Sequence, residues 1–102
     1  MKLRHATPYA NLESIFARGL DPVYAVTLSD RKWVWLHTPR HRCWAIAHTC
    51  QRHQVPEEEV VILEVSVPRP WLCSGGRGIW KCPSVIAPAR IRIQDMHELL
   101  IG

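Results

Sequence analysis

The sequence has little phenylalanine, methionine and glycine: one, two and five among 102 residues. It has no apolar run near the ~20 residues that a membrane-crossing helix needs, which argues against a helical membrane protein. The opening Met1-Lys2-Leu3-Arg4-His5 lacks the hydrophobic segment of a secretion signal, so a cytoplasmic location is expected. Its four cysteines, Cys43, Cys50, Cys73 and Cys82, show no C-x-x-C spacing, which speaks against a zinc knuckle or a dithiol redox centre. Without a secretion signal a disulfide framework is not expected either; the thiols read as reduced and mostly buried. His37, His41, Cys43, His48 and Cys50 lie close together, but Pro39 interrupts the helical spacing, so no metal site is expected. Repeats, linkers and low-complexity tracts are absent, and the length suits one small domain spanning residues 1–102.

Basic charge is what the chain does have. Net charge is +4 and the pI is near 9.2, a lean toward anionic partners such as nucleotides, nucleic acid or an acidic protein, or else a surface kept basic for solubility. Tryptophan is also abundant, at five residues. Each can bury ~150–250 Å², so they read as core, with an exposed one able to stack on a base.

The chain divides into short elements. Leu3–Thr7 alternates as a brief strand. Asn11 is a suitable helix N-cap, and Leu12, Ile15 and Phe16 make one apolar stripe. Gly19 suits a left-handed stop with Leu20 folding back onto Ile15, and Pro22 forbids continuation. Val23–Asp30 reads as strand or extended loop. Trp33–Thr38 is a strand. Thr38 and Pro39 open a helix to His53, with Cys43, Ile46, Ala47 and Cys50 as its core stripe. Val60–Val67 is the strongest strand, apolar enough to be covered on both faces. Trp71–Gly78 reads as a loop, Ile79–Cys82 as a short strand, and Ala89–Ile93 as a last strand with one wet face. Gln94–Gly102 reads as one more helical turn. Two early helices and late strands predict an α+β domain.

The pattern His5-x-Thr7, Asn11-Leu12, Ile15, Gly19-Leu20 and Pro22 resembles the opening of the ADP-ribosyltransferase superfamily. The likeness is nearest to its small bacterial members, the RNA 2'-phosphotransferases and the DNA-targeting ADP-ribosylating toxins. Cys82-Pro-Ser-Val-Ile-Ala-Pro-Ala-Arg-Ile is similar to the Pro-rich approach to their last strands. The likeness covers the opening closely and the rest through the order of elements. It implies a split β-sheet with two helices and a cleft for NAD or an ADP-ribosyl group. There His5 would contact a ribose, the helix after it would pack behind the pocket, and catalysis would be group transfer from the ribose.

The candidate site residues follow. His5 and His37 each end a strand, where two imidazoles can converge on one ligand; they are the candidate catalytic pair and, with Thr7 and Thr38, candidate cofactor contacts. Arg40 and Arg42 begin the second helix, where guanidinium groups and free amides both suit a phosphate. Ser74-Gly-Gly-Arg-Gly78 lacks the spacing of a phosphate-binding loop and reads as a flexible connection. Glutamate-dependent transfer calls for a carboxylate on a late strand, and the chain has no glutamate between Trp71 and Ile93. Glu64 is expected on a solvated face. The alternative is therefore a non-catalytic module of the same fold that holds a nucleotide, nucleic acid or protein partner.

Overall fold

In the computed structural model, which describes residues 1–24 and 32–95, the elements are β1 (Lys2–Pro8), α1 (Leu12–Arg18), β2 (Val34–His37), α2 (Arg42–His53), β3 (Val60–Ser66), β4 (Cys73–Gly76), β5 (Ile79–Cys82) and β6 (Ile91–Asp95). The six strands form one antiparallel sheet in the order β4-β5-β2-β1-β3-β6. With two α-helices, this is an α+β domain. Among the described residues no helix is long and apolar enough to cross a membrane.

The apolar run of β3 explains its place. It lies between β1 and β6, and Val61, Leu63 and Val65 are shut off from solvent. Fully burying each such side chain contributes about 1.5–3 kcal/mol. Strand alternation puts Leu3, His5 and Thr7 on their face, because β1 pairs Leu3 with Val65, His5 with Leu63 and Thr7 with Val61. Ile15, Leu20, Leu36, Cys82 and Ile86 belong to the same core. The other face is charged near β6. Glu64 is the cross-strand partner of both Arg4 and Arg92, and its carboxylate accepts hydrogen bonds from them at 2.8 and 2.7 Å.

The sheet is weakly joined at one place. β1 and β3 pair over seven residues, from Lys2 with Ser66 to Pro8 with Val60. β1 and β2 share a single register pair, Arg4 with His37. Beyond it the ladder stops, and the His5 side chain, through Nδ1, meets the Trp35 carbonyl at 2.7 Å. The halves β4-β5-β2 and β1-β3-β6 thus meet at a narrow seam.

Several local expectations need correction. A 3-10 turn, Tyr9–Asn11, precedes α1, and the Asn11 side chain makes no capping bond. Ile15 is buried, but Phe16 is 39% exposed, because a helix of two turns presents little more than one buried position. Gly19 has positive φ but an extended ψ (+88°, −175°), so the chain does not curl into a Schellman stop. Leu20 instead leaves straight and exchanges two 2.9 Å backbone hydrogen bonds with Ile86. Pro39–His41 is a 3-10 turn, and the α-helical part begins at Arg42. Its buried residues are Ala45 and Thr49, and Cys43 is exposed. The sequence stripe is therefore rotated by roughly a third of a turn from the true contact face. Small residues win there because α2 lies close over β1, with the Thr49 hydroxyl donating to Ala45 O at 2.7 Å and lying 3.5 Å from Ala6 O. Cys82 is the one cysteine of the four that is buried.

The segment read as a loop contains strand β4, hydrogen-bonded to β5. Its glycines serve close approach. A side chain on Gly75 would press on the Trp35 ring, with Cζ3 at 2.6 Å, and one on Gly78 (φ +72°) would overlap the His41 ring. Gly78 O also accepts the Thr38 amide at 3.1 Å. β6 runs on to Asp95. The readings of 25–30 and of the tail beyond 95 lie outside the described residues.

Candidate functional site

A cavity of about 650 Å³ opens where the sheet is weakly joined. Its walls come from both helices and from both faces of β2: Asn11, Ser14 and Ile15 from α1, Val34 to His37 from β2, and Trp44, Ala45, His48, Thr49, Arg52 and His53 from α2. His5, Ala6 and Thr7 line it from β1, and Gly19, Leu20, Asp21 and Tyr24 from the segment after α1. Thr7 is buried. This size falls within the range of small-molecule sites.

The His5 tautomer is fixed by its partner. A carbonyl oxygen only accepts, so Nδ1 carries the proton toward Trp35 O at 2.7 Å, and Nε2 is left with a lone pair. Burial holds the His5 pKa below its ordinary value; the hydrogen bond to Trp35 opposes this, and the nearby His53 adds to it. The ring is neutral at physiological pH and presents an acceptor.

His37 is 2% exposed. Its pKa is pushed down to about 4, first by burial and then by the charges of His5, His41 and Arg4. Its Nε2 and the Trp35 Nε1 are buried atoms with no hydrogen-bond partner among the described residues. Strand alternation puts Trp35 and His37 on one face of β2, and both residues line the cavity. An unpaired buried polar group costs about 1–3 kcal/mol, so these two atoms gain from any polar partner that reaches them. Beside it, Thr38 Oγ1 and His41 Nδ1 share a hydrogen bond of 2.8 Å.

The structure therefore brings His5, Thr7 and His37 to one cavity, and leaves Thr38, Arg40 and Arg42 out of its lining. Arg42 is exposed and pairs with Asp95 of β6. The physical reason is that the Arg42 side chain is drawn to Asp95, while the α2 residues that line the cavity begin at Trp44. The arginine at the cavity is Arg52. It belongs to a stripe, Trp44, His48 and Arg52, spaced four residues apart. Trp44 and His48 stack with ring centroids 4.8 Å apart. That i, i+4, i+8 spacing is visible in the sequence, but the apolar stripe through the two cysteines drew attention to another face. Trp33 and Trp35 also line the cavity, and Lys81 Nζ lies 4.5 and 5.7 Å from their ring centroids.

Carboxylates are scarce. Among the described residues Asp21 is the carboxylate in the lining, and its Oδ1 accepts the Val23 amide at 3.0 Å. Glu64 is held by two arginines on the charged face of the sheet and lines no part of the cavity. Among the described residues no three His, Cys, Asp or Glu side chains gather in a way that could hold a metal ion. No protein-family model matches this chain, and no curated protein matches it.

Proposed function

We propose that the cavity binds a nucleotide of the NAD or ADP-ribosyl class, with His5 receiving a hydrogen bond from a ribose hydroxyl. The observation that carries this reading is the seam between β1 and β2, where the fixed tautomer of His5 leaves an acceptor nitrogen on a residue that lines the cavity. Three further features support it. The volume suits a ligand of this size. Tyr24 and Trp44, 64% and 45% exposed, are aromatic residues of the lining, a type of side chain that stacks on bases. The opening His5-x-Thr7 pattern that resembles the ADP-ribosyltransferases supplies two of the lining residues.

Group transfer from the ribose is the enzymatic form of this reading. Binding without turnover is the other form, and the carboxylates favour it, since Glu64 is held outside the cavity and Asp21 is engaged by its own turn. Calorimetric titration with NAD tests the binding, with His5→Ala alongside. Saturable binding that His5→Ala weakens several-fold or more, as expected for a lost hydrogen bond, supports the cavity reading. Absence of heat up to millimolar NAD overturns it. Release of nicotinamide on prolonged incubation separates the enzymatic form from the binding one.

A further inference from the structure

We propose that the last turns of α2 form an anion subsite of this cavity, in which Arg52, His48 and His53 take the phosphate groups of the bound nucleotide. The proposal rests on the nucleotide reading for the identity of the ligand, and on the basic cluster itself for the subsite.

Three nitrogen-bearing side chains line one wall of the cavity within six residues of a single helix: His48, Arg52 and His53. Arg52 and His53 are exposed and His48 half-buried, so they stand toward the mouth rather than the floor. A phosphate keeps part of its hydration at a mouth, which lowers the cost of bringing its charge into the protein. His53 acts electrostatically on His5, so this wall faces the residue assigned to the ribose. A nucleotide carries its diphosphate next to its ribose, and the arrangement matches that order.

The groups facing one another can be named from every wall. Burial first, and the Arg52 charge second, keep the His48 and His53 imidazoles below their ordinary pKa. Trp44 stacks on His48. His5 and His37 face from β1 and β2, with Arg4 and His41 near His37. Asp21 and Tyr24 face from the segment after α1. The acidic turn Glu57–Glu59 also packs against α2, and in the lining Asp21 is the carboxylate among the described residues. Close like charges disfavour protonation of the histidines while the site is empty. A bound anion reverses that balance, so binding below neutrality takes up protons. The C-terminal end of a helix favours cationic side chains, and here the anion is held by those side chains rather than by backbone amides.

Inorganic pyrophosphate isolates the subsite, and NAD reports on the whole cavity. Both are titrated calorimetrically at pH 6.0 and 8.0 against the wild type, Arg52→Gln, Arg52→Lys, a His48→Gln/His53→Gln pair and His5→Ala, each first checked by thermal melting. The expected result is pyrophosphate binding that tightens at pH 6.0, weakens about tenfold or more in Arg52→Gln, recovers in part in Arg52→Lys, keeps in the double variant only the pH dependence of pyrophosphate's own protonation, and survives in His5→Ala. Pyrophosphate binding that is absent, or equal in Arg52→Gln and wild type, overturns the subsite even where NAD binds. Pyrophosphate binding with these properties upholds the subsite even where NAD does not bind, so the two readings fail separately.

Discussion

Gly19→Ala gives a severe test of how α1 is joined to the core. Gly19 has φ +88° and ψ −175°, a combination open essentially to glycine, and placing a side chain there costs about 1–3 kcal/mol. A Cβ would also overlap the Ile86 carbonyl oxygen, with Ile86 C at 3.1 Å and Ala87 Cα at 3.3 Å. All three are backbone atoms and cannot rotate aside. The segments must separate, which lengthens the two 2.9 Å hydrogen bonds between Leu20 and Ile86, each contributing about 0.5–1.5 kcal/mol. Leu20 and Ile86 are both core residues, so packing loosens as well. Together the loss is about 3–5 kcal/mol, a large share of the roughly 5–15 kcal/mol that stabilises a domain of this size. At about 4–8 °C per kcal/mol, thermal melting should fall by at least about 12 °C. Gly76→Ala is the control: its φ is +131° but among the described residues nothing lies near its Cβ, so the backbone cost is the one that applies. A Gly19→Ala protein melting within 3 °C of Gly76→Ala, a margin of less than about 1 kcal/mol, would refute the reasoning, because the collision would then have been absorbed without cost.

Other expectations concern charge and packing. The folded pKa of His37 lies near 4, below the unfolded value of about 6.5; the unfolded chain therefore binds the extra proton between these values, and stability should fall as pH drops from about 6.5 to 4, with a shallower slope for His37→Gln in melts across that range. Glu64 is likewise depressed, first by its hydrogen bond from Arg4, so its contribution is present above the ordinary carboxylate pKa and is lost on further acidification; Glu64→Gln should flatten the acid limb of the same melts below about pH 4.5. Cys43 is exposed, so Cys43→Ser should change stability by less than about 0.5 kcal/mol in urea unfolding, whereas a residue on the expected core stripe would cost far more.

The strands were legible where the composition forced them. Val60 to Val67 had no reading other than a covered strand, and Ile79–Cys82, read as a short strand, is β5. The face of α2 was not legible. An apolar stripe of cysteine, isoleucine and alanine looked like core, yet the helix turns Ala45 and Thr49 inward because β1 runs too close for larger side chains. β4 was missed because Cys-Ser-Gly-Gly has no strand propensity; it is a strand only because β5 offers it a ladder, and glycine fits against Trp35.

The sequence by itself determined the α+β class, the short helix stopped before Pro22, the interior strand β3, and the position of His5 on the first strand, because local propensity and periodicity act over a few residues. The tertiary structure decided which polar residues meet. Thr7 and His37 reach the cavity and Arg42 does not, since β1 and β2 part after one register pair and the Arg42 side chain is drawn to Asp95. Such long-range placement depends on strand order and helix direction, which no local pattern encodes.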